Sequence, residues 1–111
     1  MNDQSGFAKL PVPPYYAVIF SSLRTAGDHG YDDMGQRMVE LACQQLGYLG
    51  AESARNIDGF GITVSYWTDE TSILTWKRHA EHQIAQETGK QRWYEHYETR
   101  VAKVERAYAL K

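Results

Sequence analysis

The sequence predicts an α+β domain whose elements run strand, helix, strand, strand, helix and then one closing segment. If that segment is a strand, the order is the ferredoxin-like β-α-β-β-α-β plan. Three observations carry this. Tyr15–Leu23 and Phe60–Trp67 are short runs rich in aromatic and β-branched residues, the composition of strands. Tyr31–Leu46 and Glu70–Thr88 place apolar residues at helical spacing. Asn56-Ile57-Asp58-Gly59 is a turn with a strong Asp-Gly signal between two strand-like stretches.

Each element has a local reason. Residues 1–14 read as an extended lead-in, because Pro11, Pro13 and Pro14 forbid a helix. Strand one carries Tyr16, Val18 and Phe20 on one face and Tyr15, Ala17 and Ile19 on the other, so it wants cover on both sides. Ala26 to Gly30 is loop. Helix one opens with Asp32 and Asp33, where the helix dipole favours negative charge. Its stripe is Met34, Met38 and Leu41, and Gly47 is a plausible stop. Cys43 on this helix reads as a buried, inert thiol.

Tyr48–Arg55 is a weakly patterned strand two, paired in a hairpin with Phe60–Trp67. Thr68 or Asp69 caps helix two, whose stripe is Ile73, Trp76, Ala80 and Ile84, with Gly89 at its end. Gln91–Ala109 fits either a helix through Val101, Val104 and Tyr108 or an alternating strand, and periodicity does not decide between them. Two helices cover one sheet face. The other face, apolar along strand one, predicts a partner surface, most economically a second copy.

Composition excludes several classes. The chain has 111 residues, enough for one domain, and is 42% hydrophobic, enough for a packed core. Net charge is -2 with no basic block, which argues against nucleic-acid binding. A single cysteine excludes an internal disulfide and a multi-cysteine zinc site. No run reaches the roughly 18 apolar residues of a membrane helix. Met1–Lys9 lacks the pattern of a signal peptide, so the expected location is cytoplasmic. Eight Tyr, three Trp, three Phe and four His are present, many of them between Tyr66 and Tyr97, which suggests either an aromatic core or a ring-lined ligand pocket.

Several segments together resemble the antibiotic biosynthesis monooxygenase superfamily. They are Tyr15-Tyr16-Ala17-Val18-Ile19-Phe20, Leu49 to Arg55, Gly61 to Trp67, Trp76 to His82, Trp93-Tyr94 and Arg100-Val101. The most characteristic feature is an aromatic-ended third strand, then Glu70 opening a helix, then His79 and His82 further along. The resemblance spans about residues 15–108. It implies a homodimer, a dimeric α+β barrel of ferredoxin-like protomers, and makes the tail a strand over about Tyr94–Tyr108. It also implies a pocket between sheet and helices, and oxidation of a small aromatic phenol or quinol by dioxygen with no metal, flavin or other cofactor. A second branch of the superfamily binds or degrades haem. For that branch Trp76 matches, while Ser21 or Ser22 and Gln86 stand where an asparagine and a ligating histidine are expected. A non-catalytic small-molecule-binding dimer fits the same core.

The candidate site residues each have a bland alternative. His79 and His82 share a helix face and titrate near neutrality, which suits a base and a donor. Otherwise they are polar surface residues, and a metal would need a third ligand such as His96 or Glu81. Trp76 is a core or pocket-wall residue. Tyr66 and Trp67 leave strand three on opposite faces. Tyr66 is expected on the pocket side as a catalytic residue, because Val64 and Ile62 alternate with it. Trp67, Trp93 and Tyr97 are expected substrate contacts. Arg100 either holds a phenolate or makes a surface ion pair. No glycine-rich phosphate loop or nucleophile triad is present.

Overall fold

The computed structural model describes residues 6–26, 31–88 and 93–110, with the side chains of 31–35 and 82–88 outside that description. The elements are β1 (Tyr15–Arg24), α1 (Tyr31–Cys43), β2 (Tyr48–Arg55), β3 (Phe60–Trp67), α2 (Glu70–Thr88) and β4 (Tyr94–Val104). The four strands form one sheet in the order β2-β3-β1-β4, and every neighbouring pair is antiparallel. This is the ferredoxin-like α+β arrangement, and the closing segment is a strand.

Two boundaries differ from expectation by more than one residue, each for a local reason. Helix α1 stops at Cys43 rather than Leu46, since Gln44 and Gln45 donate to Leu41 and Ala42 in short i→i+3 bonds that tighten the last turn. Gly47 then reverses the chain at φ 89. Cys43, on that last turn, is exposed rather than buried. Strand β4 ends at Val104 rather than Tyr108. Val104 pairs with Tyr15, and the next residue back is Pro14, which has no N–H to continue the ladder. The expected loop at Gly27–Gly30 and the stop at Gly89 lie outside the described residues.

Register decides which side chains share a face. Tyr16 pairs with Trp67, Val18 with Ser65, Phe20 with Thr63 and Ser22 with Gly61. On the other side of β1, Val18 pairs with Val101, Phe20 with Thr99 and Ser22 with Tyr97. Trp67 stacks on Trp76 of α2, so all of these lie on the helix face. The alternate set, Tyr15, Ala17, Ile19, Phe60, Ile62, Val64, Tyr66 and Arg100, lies on the open face. Tyr66 was expected under the helices and is on the opposite side. The physical reason is that both faces carry apolar side chains, so alternation separates the two sets without ranking them.

The core is concentrated at the Trp67 end, where Tyr15, Ala17, Trp67 and Ile73 are buried. Trp93 is also buried. Its carbonyl accepts from the Thr25 amide at 2.8 Å and the Thr25 hydroxyl at 3.2 Å, which ties the entry to β4 to the exit from β1. Part of the open face is covered by the chain's own lead-in. The Ala8 amide donates to Glu52 at 3.0 Å, and a Cβ on Gly50 would lie 3.3 Å from Ala8. Among the described residues no helix is long and apolar enough to cross a membrane.

Candidate functional site on the helix face

The first turn of α2 is fixed before any ring is placed. Asp69 accepts from the Ser72 amide at 2.8 Å as an N-cap, and this bond holds its carboxyl below the usual carboxylate range. The Thr68 amide donates to the Gly47 carbonyl at 2.9 Å. From this anchor a helical rise of about 1.5 Å per residue puts Trp76 and His79 about 9 and 14 Å along α2 from Glu70, with Trp76 over Trp67 at the end of β3.

The rings there form a column. Trp67 is fully buried, with its Nε1–H donating to Ser65 Oγ at 2.9 Å. Tyr48 meets it edge-on at 5.3 Å, and burial raises the Tyr48 hydroxyl pKa. Trp76 stacks on Trp67 at 5.9 Å and 27°. His79 stacks on Trp76 at 6.2 Å and 19°, and is exposed at the outer end. His82 lies on the same helix, its side chain outside the described residues.

A second aromatic group sits further along the same face. Phe20 contacts Tyr94 at 5.4 Å and Tyr97 at 5.2 Å, and Tyr94 contacts Tyr97 at 5.8 Å. Tyr97 is 48% exposed and Val101, four positions on along the same face of β4, is 52% exposed. Six residues of β1 separate the partner of Trp67 from the partner of Tyr97, about 20 Å at strand rise. Val18, Phe20 and Val101 floor the interval, flanked by Ser65 and Thr63 of β3 and Thr99 of β4, between an imidazole and a tyrosine pair.

The structure therefore brings together Trp67, Trp76 and His79 at one end and Tyr97 at the other. It does not bring Tyr66 or Arg100 to them. The Tyr66 hydroxyl donates to Glu52 at 2.7 Å on the open face, and burial followed by that bond pushes its pKa up to about 12. A phenol so held is a poor proton acceptor or donor at neutral pH. Arg100 binds Glu98 at 2.6 Å, and Glu98 also takes His96 at 3.0 Å. The first effect of that cluster, the His96 bond, holds the Glu98 carboxyl below its ordinary range, with Arg100 adding to it. This is the surface ion pair, and it removes both Arg100 and His96 from the ring column. Trp93 is a core anchor at the β1–β4 junction rather than a groove contact.

Two contributors were missed in the sequence. Phe20 meets Tyr97 only because of the β1–β4 register, and Tyr48 was hidden in the weakly patterned strand. A hollow of about 390 Å³ lies on the open face instead, lined by Phe7, Glu52, Ala54, Ile62 and Val64. It is shallow and widely open, and the only ionisable side chain named there, Glu52, is already taken by Tyr66 and Ala8. Among the described residues no three of His, Cys, Asp and Glu gather as a metal would require.

Fold and ring column together define a ferredoxin-like α+β domain with an aromatic stack on its helix face. The chain belongs to the same family as the uncharacterised protein YqjZ of Bacillus subtilis, and its fold is of the antibiotic biosynthesis monooxygenase type. It is 56% identical over 99 residues to the uncharacterised protein YqjZ of Bacillus subtilis, covering 89% of this chain and 87% of that one. It is 39% identical over 46 residues to the jasmonate monooxygenase ABM of Pyricularia oryzae, covering 41% of this chain and 21% of that protein. Among solved structures, PA3566 of Pseudomonas aeruginosa superposes with a TM-score of 0.63 at 11% identity, covering 88% and 99% of the two chains. SnoaB of Streptomyces nogalater, a cofactor-independent oxygenase, does so at 0.62 and 11%, covering 88% and 98%. No family model matches the chain.

Proposed function

We propose that this protein is a cofactor-independent monooxygenase that oxidises a flat, electron-rich phenol or quinol on the helix face of its sheet. The observation that carries the reading is the Trp67–Trp76–His79 column, a fixed aromatic wall with a titratable ring at its exposed end. The strip floored by Val18, Phe20 and Val101, with the Thr63 and Thr99 hydroxyls at its sides, suits a planar ring system that carries oxygen substituents. The names of the jasmonate monooxygenase relative and the SnoaB neighbour support the reaction class.

His79 takes the proton that acidifies on an activated ring, a phenolic O–H or a benzylic C–H. The resulting carbanion or phenolate gives one electron to dioxygen, and the radical pair recombines to a hydroperoxide. Loss of water leaves a carbonyl, so a CH2 group plus dioxygen becomes C=O plus H2O. The electrons come from the substrate. Tyr66 and Arg100, on the other face, have no part in this scheme.

The open face is proposed to receive a second copy. Phe60 and Ile62 are 45% and 41% exposed there, beside Val64 and Ile19. No observation favours the haem branch: the buried Ser22 hydroxyl is engaged by Arg55 at 2.8 Å, and the Gln86 side chain lies outside the described residues. The test is oxygen uptake by metal-free protein across anthrones and quinols. Uptake should occur with at least one of them and fall about a hundredfold in His79→Ala. Silence across the panel contradicts the reading.

A further inference from the structure

We infer that Ser65 and Trp67 are positioning residues for the reaction site: they fix the plane of Trp76 and, through it, the ring of His79. The inference rests on the reading of Trp76 and His79 given above. Trp67 is fully buried and cannot touch a ligand. Its one polar atom is committed to Ser65 Oγ at 2.9 Å, two residues back on the same face of β3. A hydrogen bond along the strand and an edge-on Tyr48 at 75° leave that indole a single orientation.

Trp76 and His79 follow from it in order. Their interplanar angles to the ring before are 27° and 19°, so each ring lies nearly parallel to its predecessor. Sliding of α2 is blocked separately. A Cβ on Gly47 would meet the side chains of Ser72 and Thr68, so the α1–β2 turn already sits against the first turn of the helix. With the helix backbone held, the remaining freedom of Trp76 is rotation of its own side chain, and the column removes that. Proton transfer from a bound ring needs this alignment, because misplacement by a fraction of the transfer distance slows it steeply.

Ser65→Ala, with Ser65→Thr as the conservative rescue, tests this through two readouts. The first is the far-UV circular dichroism couplet of the two stacked indoles, identified by its loss in Trp76→Phe. The second is oxygen uptake, separated into kcat and KM. Ser65→Ala should keep its melting temperature within about 5 °C of the parent. It should also shrink the couplet by about half or more and lower kcat about tenfold at near-constant KM. Ser65→Thr should restore both. An unchanged couplet in Ser65→Ala, or a fall in kcat that Ser65→Thr does not restore, overturns the inference. If the parent takes up no oxygen with any quinol, the proposed function has failed, and the couplet alone still decides whether Ser65 sets the indole plane.

Discussion

Arg55 shows how one residue explains another. Its guanidinium donates to Ser22 Oγ at 2.8 Å, to the Ser22 carbonyl at 3.3 Å and to the Gly59 carbonyl. To reach β1 from β2 it must cross β3, and it does so over Gly61, where a Cβ would lie 2.8 Å from the guanidinium carbon. Gly61→Ala should therefore destabilise the fold by about 1–3 kcal/mol, read from chemical denaturation. On the open face, Glu52→Gln should bring the Tyr66 pKa down from about 12 only part of the way to 10, because burial is the larger cause. The sign is fixed by linkage. A raised pKa contributes stability that is whole below pH 10 and lost as pH rises through the folded value, so tyrosinate absorbance should appear earlier in the variant. The Arg55 bridge was not legible beforehand, since it depends on a three-strand register. The side of Tyr66 was not legible either: small polar Gly61, Thr63 and Ser65 lie under the helices, while Ile62 and Val64 face away, opposite to the usual expectation for a one-sided sheet.

At the scale of elements, the first three strands and α2 were legible because their signals are local, whereas the closing strand was expected only from the family resemblance. Asn56 to Gly59 closes the hairpin, with Gly59 at φ 101 and its amide on the Asn56 carbonyl at 3.1 Å. The end of β4 was not legible, because it is set by Pro14, just ahead of β1 and 90 residues before Val104. The Asp69 cap carries a pH signature. Its carboxyl is held below the ordinary value, so the unfolded chain takes up the proton first as pH falls. Stability from this cap is whole above about pH 4 and is lost as pH drops through the lower, folded value. Asp69→Asn should flatten that acid limb and leave the neutral-pH limb parallel to the parent, which thermal melts across a pH series will resolve. Gly47→Ala, which adds a Cβ at φ 89 against Ser72 and Thr68, should cost about 1–3 kcal/mol in the same assay.

For the whole molecule, the existence of two apolar sheet faces was readable from strand one alone, whose alternate positions are apolar on both sides. What that strand did not reveal is that the chain covers part of its second face itself, through Ala8 and Leu10 over Gly50. The remainder around Phe60 and Ile62 is proposed to meet a second copy. Ile62→Glu, which puts a charge there, should weaken association at least about a hundredfold by sedimentation while the far-UV spectrum is unchanged. A single-copy species in the unsubstituted protein at micromolar concentration would remove the dimer.

The central claim is that chemistry belongs to the helix face, between the Trp76–His79 wall and the Tyr97 platform, and not to the hollow opposite. An anaerobic titration with a planar quinol, followed by the Trp76 indole and His79 ring resonances, tests it most directly. Both should shift together and saturate, with the Ile62 and Val64 methyls unmoved. Shifts confined to Ile62, Val64 and Phe7 would contradict the account.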